Sequence, residues 1–144
     1  MFISDFSYNV PSEAKMAKYY FNKTVELSFE DAVARVTEEL KKEGFGVLTE
    51  IDVAATMKKK LDVDFRPYKI LGACNPTFAY KALSAEPHIG IYLPCNVIVQ
   101  DAGDGKTDVA AVDPFVAMSR VENPALEPVA SEIRARLQRV IEAL

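Results

Sequence analysis

Histidine is almost missing from this sequence: His88 is the only one among 144 residues. A single imidazole excludes a helical pair of histidine metal ligands, and no G-x-S-x-G elbow offers it a serine to activate. Cysteine is nearly as scarce. Two residues are too few for a disulfide-stapled scaffold, and they suit a reducing compartment. The six glycines, at 44, 46, 72, 90, 103 and 105, form neither a phosphate-cradling loop nor a dinucleotide fingerprint. Gly103 and Gly105 begin one, but they lie in a polar stretch just ahead of Asp108 and read as a hairpin turn. No run approaches the ~20 apolar residues that span a bilayer. The longest, Ile89 to Val99, is interrupted by Pro94 and Asn96. Basic charge is not in excess either: 17 Lys and Arg stand against 21 Asp and Glu, a formal net charge of -4. The densest basic run, Lys58-Lys59-Lys60, is followed at once by Asp62 and Asp64 and reads as a solvated helix end. The first ten residues lack the basic start and continuous apolar region of a signal peptide. These absences together predict a soluble cytoplasmic protein with no nucleic-acid partner and no membrane.

What remains is an ordinary globular composition, 49% hydrophobic and 26% charged, at a length that supports one domain with a real core. Residues 1–18 show no clear period and read as a leader or arm. Met16 within them is a candidate second start. Residues 19–144 read as a single domain. Tyr19 to Leu27 carries the aromatic and β-branched residues of a strand. Ser28 stands at an N-cap position with Asp31 three residues on. Val33, Val36 and Leu40 then mark one buried helical stripe, and Lys41, Lys42 and Gly44 close it. Phe45 to Ile51 reads as a second strand, and Asp52 caps a helix bearing Val53, Met57 and Leu61. Tyr68 to Cys74 is a third strand, and Asn75-Pro76 starts a short helix carrying Phe78, Ala82 and Leu83. His88 to Val99 reads as a long strand region broken or bulged at Pro94. Residues 102–106 form a turn, and Asp108 to Val112 returns as the hairpin partner. Asp113-Pro114 opens a short turn. Asn123-Pro124 opens a closing helix with Val129, Ile133, Leu137, Val140 and Leu144 on one face and a supporting Glu132–Arg136 pair. The predicted fold is α+β, a single compact domain of order β-α-β-α-β-α-β-β-α, with helices packed on a mixed sheet.

Two similar segments stand out as chemistry. Gly72-Ala73-Cys74-Asn75-Pro76 and Leu93-Pro94-Cys95-Asn96-Val97 each place a cysteine before an asparagine and close to a proline. If the third and fourth strands run parallel, Cys74 and Cys95 reach the same sheet end, where α/β ligand sites form. An antiparallel pairing is expected to carry Cys95 away from it. Cys74 also precedes a helix N-terminus, whose free N–H groups favour a thiolate. The opposing reading is that both cysteines are inert core residues. Asn75 reads first as a plain helix cap. Asn96, in an apolar run, must face solvent or find partners. Glu50 with Asp52 is a possible carboxylate pair, outweighed by a cap and a solvated neighbour.

The segments SFEDAV, GFGVLTEIDV, PYKILGACNP and LPCNV, with the later Asp113-Pro114, resemble the domain-of-unknown-function 302 family, a group of small prokaryotic proteins. The resemblance runs from about Tyr19 to Leu144 and rests most on GACNP and LPCNV in combination. It implies a compact α+β domain and a homodimer, and no settled activity. Asp62 departs from the pattern, standing where a turn glycine is natural.

Three functional readings stay open. The first is a binding module, in which Cys74, Asn75, Cys95 and Asn96 line a pocket for a small-molecule ligand or a soft metal ion. Two thiolates are too few for a closed zinc site, so His88 or a dimer axis would have to complete it. The second is a thiol-dependent redox or transfer enzyme with Cys74 attacking and Cys95 resolving. The third is a structural homodimer with core cysteines. The first ranks above the second because no base is placed beside either thiol. No cofactor is identifiable.

Overall fold

The computed structural model describes residues 18–144. The leader read over residues 1–18 falls almost wholly outside them. The chain folds as β1 (Tyr20–Val25), α1 (Phe29–Lys42), β2 (Gly46–Asp52), α2 (Val53–Leu61), β3 (Tyr68–Cys74), α3 (Pro76–Ala85), β4 (Cys95–Gly103), β5 (Lys106–Val112), a four-residue α4 (Pro114–Ala117) and α5 (Glu127–Glu142). This is the expected α+β class and order, with short 3₁₀ turns at Pro87–Tyr92 and Pro124–Leu126 added.

The sheet order is β1-β5-β4-β3-β2, and all four pairings are antiparallel. The mixed sheet expected from sequence is therefore corrected, and of the two directions open to the third and fourth strands the antiparallel one is found. The long strand over His88 to Val99 is corrected as well. Pro87 to Tyr92 wind into a 3₁₀ helix, and the strand begins only at Cys95, after the cis Leu93–Pro94 bond. Proline has no N–H to give a ladder, so Pro94 sits ahead of the strand instead of inside it. The hairpin turn is tighter than expected. Asp104 (φ 54°) and Gly105 (φ 72°) form a two-residue loop with both dihedrals positive, the geometry that an Asp-Gly pair favours between twisted strands.

Alternation along the strands divides the sheet into two faces. Leu71, Ala73, Cys95, Val97, Val99, Val109 and Ala111 point at α1 and α5, whose Val36, Leu40, Ile133, Leu137 and Val140 complete one core. The other face is polar along its middle. Asn22 Nδ2 donates to Asp108 at 3.0 Å, Gln100 Nε2 donates to the other oxygen of Asp108 at 3.0 Å, and Arg66 Nε donates to Gln100 at 2.9 Å.

The capping chemistry follows the sequence closely. Ser28 accepts from the amide of Asp31 at 3.1 Å, and Asp52 accepts from that of Ala55 at 2.9 Å. α1 closes with paired reverse bonds, Phe45 N–H to Leu40 O at 2.9 Å and Gly44 N–H to Lys41 O at 3.0 Å. Gly44 there takes φ +86°, and an added Cβ would come within 3.0 Å of Asn75 Nδ2. Asp62 ends α2 in the left-handed region at φ 54°, so the expectation that glycine would be natural there holds.

These two helix ends respond oppositely to substitution. Gly44→Ala is expected to lower stability by about 1–2 kcal/mol. Asp62→Gly is expected to raise it by about 0.5 kcal/mol, since it relieves left-handed strain and loses only an exposed ion pair to Lys58. Urea unfolding of the two variants checks both signs.

Candidate functional site

The register of β3 and β4 builds the site. Ala73 pairs with Cys95, so the last residue of β3 and the first of β4 are diagonal neighbours. The expectation that an antiparallel pairing would separate Cys74 from Cys95 assumed Cys95 in mid-strand. Because Cys95 opens β4, antiparallel strands bring the two thiols to one sheet end. Both cysteines are free, Cys74 half-buried and Cys95 buried.

Beside them lies a cavity of about 290 Å³ between that sheet end, α3 and the start of α5. Phe45, Ala73 and Cys95 form its floor, Phe78, Ala79 and Ala82 of α3 one wall, and Met118, Ala130 and Ile133 the far side. Leu48 and Leu83 line it while staying largely exposed, which places them at the rim. Alanine at 73, 79, 82 and 130 keeps the space open where a larger side chain would close it. Gly72, on the sheet face away from the helices, leaves room for two neighbours that reach the cavity. A Cβ there would meet Thr49 Oγ1 and would lie 2.8 Å from Pro94 Cγ, and both of those residues line the cavity.

The lining contains no Asp, Glu, His, Lys or Arg among the described residues. Its polar side chains are the two thiols, Thr49 and Asn75. Two other grooves, of about 430 Å³ each, are edged by charged residues: Glu122 and Glu127 in one, Glu30, Asp52 and Lys69 in the other.

The sequence-predicted residues sort as follows. Cys74, Asn75 and Cys95 come together at the cavity. Asn75 holds the N-cap position of α3, yet its side chain makes no cap bond. The plain-cap reading is corrected: Asn75 is only 8% exposed, and its Nδ2 instead donates to Glu43 O at 3.4 Å. Arg136 Nη1 donates to that same carbonyl at 2.9 Å, and Arg139 grips the Glu43 carboxylate at 2.9 Å. Asn96 is exposed opposite Gly72, on the face away from the helices, and does not line the cavity. His88 is exposed on the 3₁₀ turn and does not line it either. No group of three or more His, Cys, Asp or Glu residues among those described is placed to hold a metal ion. Glu50 pairs with Lys69 at 2.6 Å, a contact that holds the Lys69 ammonium above its ordinary pKa, and Asp52 caps α2. Sequence reasoning missed Phe45, Pro94, Met118 and Ala130 as cavity residues. Their spacing carries no local signal, and only the fold brings them together.

Burial pushes the Cys95 thiol up from the ordinary 9.0 to about 11, with the nearby Cys74 adding to the effect. Cys95 therefore stays protonated at neutral pH and is a poor nucleophile.

Residues 18–144 thus form an antiparallel α+β domain with an apolar cavity at one sheet end. The chain belongs to the family described as "Domain of unknown function DUF302", whose model matches residues 21–144. It is similar to a crystal structure of an uncharacterized conserved protein DUF302 from Bacillus stearothermophilus. The two are 30% identical with a TM-score of 0.80, over 87% of this chain and 97% of that one. No curated protein matches the chain. No helix among the described residues is long and apolar enough to cross a membrane.

The raised Cys95 pKa sets a pH dependence with a definite sign. Between about 9 and about 11 the unfolded thiol loses its proton while the folded one keeps it, so the unfolded state gains. The contribution of Cys95 is whole below that window and falls by about 2.7 kcal/mol across it. Urea unfolding as a function of pH should show this loss in the wild type and not in Cys95→Ala. In native protein an alkylating reagent should label Cys74 and leave Cys95 untouched until unfolding, as peptide mass spectrometry would read.

Proposed function

We propose that this protein is a binding module for a small, neutral, apolar organic molecule, held in the cavity beside Cys74 and Cys95. The observation that carries the reading is the wall chemistry. A cavity close to the lower end of the size range of ligand pockets is lined by side chains without a formal charge, with a few polar groups at one side. Such a space holds water poorly and favours an apolar occupant. Four alanines keep it open, and an unfilled apolar space of this kind costs a small domain stability. Cys74, Thr49 and Asn75 are the groups that would orient the molecule.

The donor set favours an organic ligand over a soft metal ion. Two thiols converge on the cavity, but His88 lies elsewhere, and one of the thiols resists ionisation. The same facts weigh against a thiol enzyme. Neither a base nor an acid lines the cavity among the described residues, and Cys95 would have to act as a thiol held far above neutral pKa. Cys74 then serves as a soft, polarisable contact at the mouth.

The test fills the space. In Ala82→Leu the new side chain occupies the cavity on a helix that tolerates leucine well. Titration with 2-naphthol, followed by its own fluorescence, should give saturable binding to the wild type. Binding should weaken at least about tenfold in Ala82→Leu, a loss of about 1.4 kcal/mol, with thermal stability equal or higher. Equal binding by the two proteins places the molecule elsewhere and removes the proposal.

A further inference from the structure

The cavity has a neighbour. On the far side of α4 lies one of the two larger grooves, lined by Phe115, Leu126 and Pro124 and edged by Ser119, Glu122 and Glu127. Met118 and Ala130 are the two residues common to both linings. Both are buried, at 8% and 3% exposure, and belong to one packed cluster with Ala82, Ile89 and Leu126. One of the two is alanine and contributes a single methyl group. The barrier between cavity and groove is therefore largely the side chain of Met118, an unbranched thioether that ends the short helix α4.

We infer that Met118 sets the length of the molecule the cavity accepts, and that this molecule is an elongated one whose apolar tail runs from the mouth at Leu48 and Leu83 to the Met118 side chain. The inference rests on the binding reading above and adds the shape of the ligand and the residue that measures it. A tail inside the cavity meets apolar wall along its whole course. A tail forced past Met118 meets the carboxylates of Glu122 and Glu127 and gains nothing from further length. Affinity should thus climb with chain length while methylenes are added inside the cavity, then stop climbing where Met118 stands. Replacing methionine by alanine removes three heavy atoms from that barrier and lengthens the accepted chain by a similar number of carbons, about three.

The experiment uses straight-chain primary alcohols from butanol to dodecanol, with affinity measured by displacement of 2-naphthol. In the wild type each added carbon should tighten binding about fourfold up to a break, beyond which affinity levels. Met118→Ala should move the break to longer chains by about three carbons. Met118→Phe should move it to shorter chains. Ala130→Leu, which thickens the opposite side of the same barrier without touching Met118, should also shorten it. Circular dichroism identifies any variant that fails to fold, and the three substitutions do not share one folding risk. A break at the same length in every folded variant overturns the inference while leaving the binding reading in place. Bound 2-naphthol that no alcohol displaces overturns the inference alone, and absence of saturable 2-naphthol binding by the wild type overturns both.

Discussion

The pairing of Ala73 with Cys95 governs the functional end of this molecule. It aligns the end of β3 with the start of β4, and the meeting of Cys74 and Cys95 at the cavity follows from that alignment. A shift of one residue would turn Cys95, Val97 and Val99 to the polar face and bring Asn96 and Ile98 to the helices. The register is held from both directions. Val97 and Val99 are fully buried against α1 and α5, and Gly72 lets Thr49 and Pro94 close in where any side chain would collide.

A second constraint positions the helices over that end. The carbonyl of Glu43, at the close of α1, receives bonds from Asn75 at the start of α3 and from Arg136 on α5, and its carboxylate binds Arg139. One helix terminus thus fixes the two elements that form the cavity walls. A further tie, from Asn123 Nδ2 to Ala85 O at 2.9 Å, joins the far end of α3 to the segment that leads into α5. Buried Asp113 adds a cap to α4 and an ion pair to Arg134 at 3.0 Å. With its walls pinned at both ends, the space between them stays open, because four of the residues that face it are alanines.

Much of this was legible in the sequence where the signal is local. Ser28, Asp52 and Gly44 marked their helix boundaries by chemistry that acts within four residues. The span Tyr68 to Cys74 was read to the residue because Pro67 and Asn75-Pro76 bracket it. The failures came where a pattern serves two structures. Ile89, Ile91 and Leu93 alternate as a strand would, but Pro87 and Pro94 on either side make a 3₁₀ turn of the segment. The direction of β4 against β3 stays open in the sequence, because a short crossover helix suits either direction until the start of β4 is known. Asn75 showed the limits of a cap signal: its backbone takes the position while tertiary contact with Glu43 claims its side chain. Met118 and Ala130 were invisible for a simpler reason, since nothing in either residue's neighbourhood says which cavity it will border.

The central claim is that the space beside Cys74 and Cys95 is a ligand cavity and not a packing fault. The direct measurement is an NMR titration of isotopically labelled protein with toluene, a neutral probe small enough to enter without distortion. The account predicts saturable shifts of the methyl and amide signals of Ala73, Ala79, Ala82 and Ala130, with the polar sheet face around Asn22 and Asp108 unmoved. Shifts spread over the exposed apolar residues, or none at those four alanines, would contradict it.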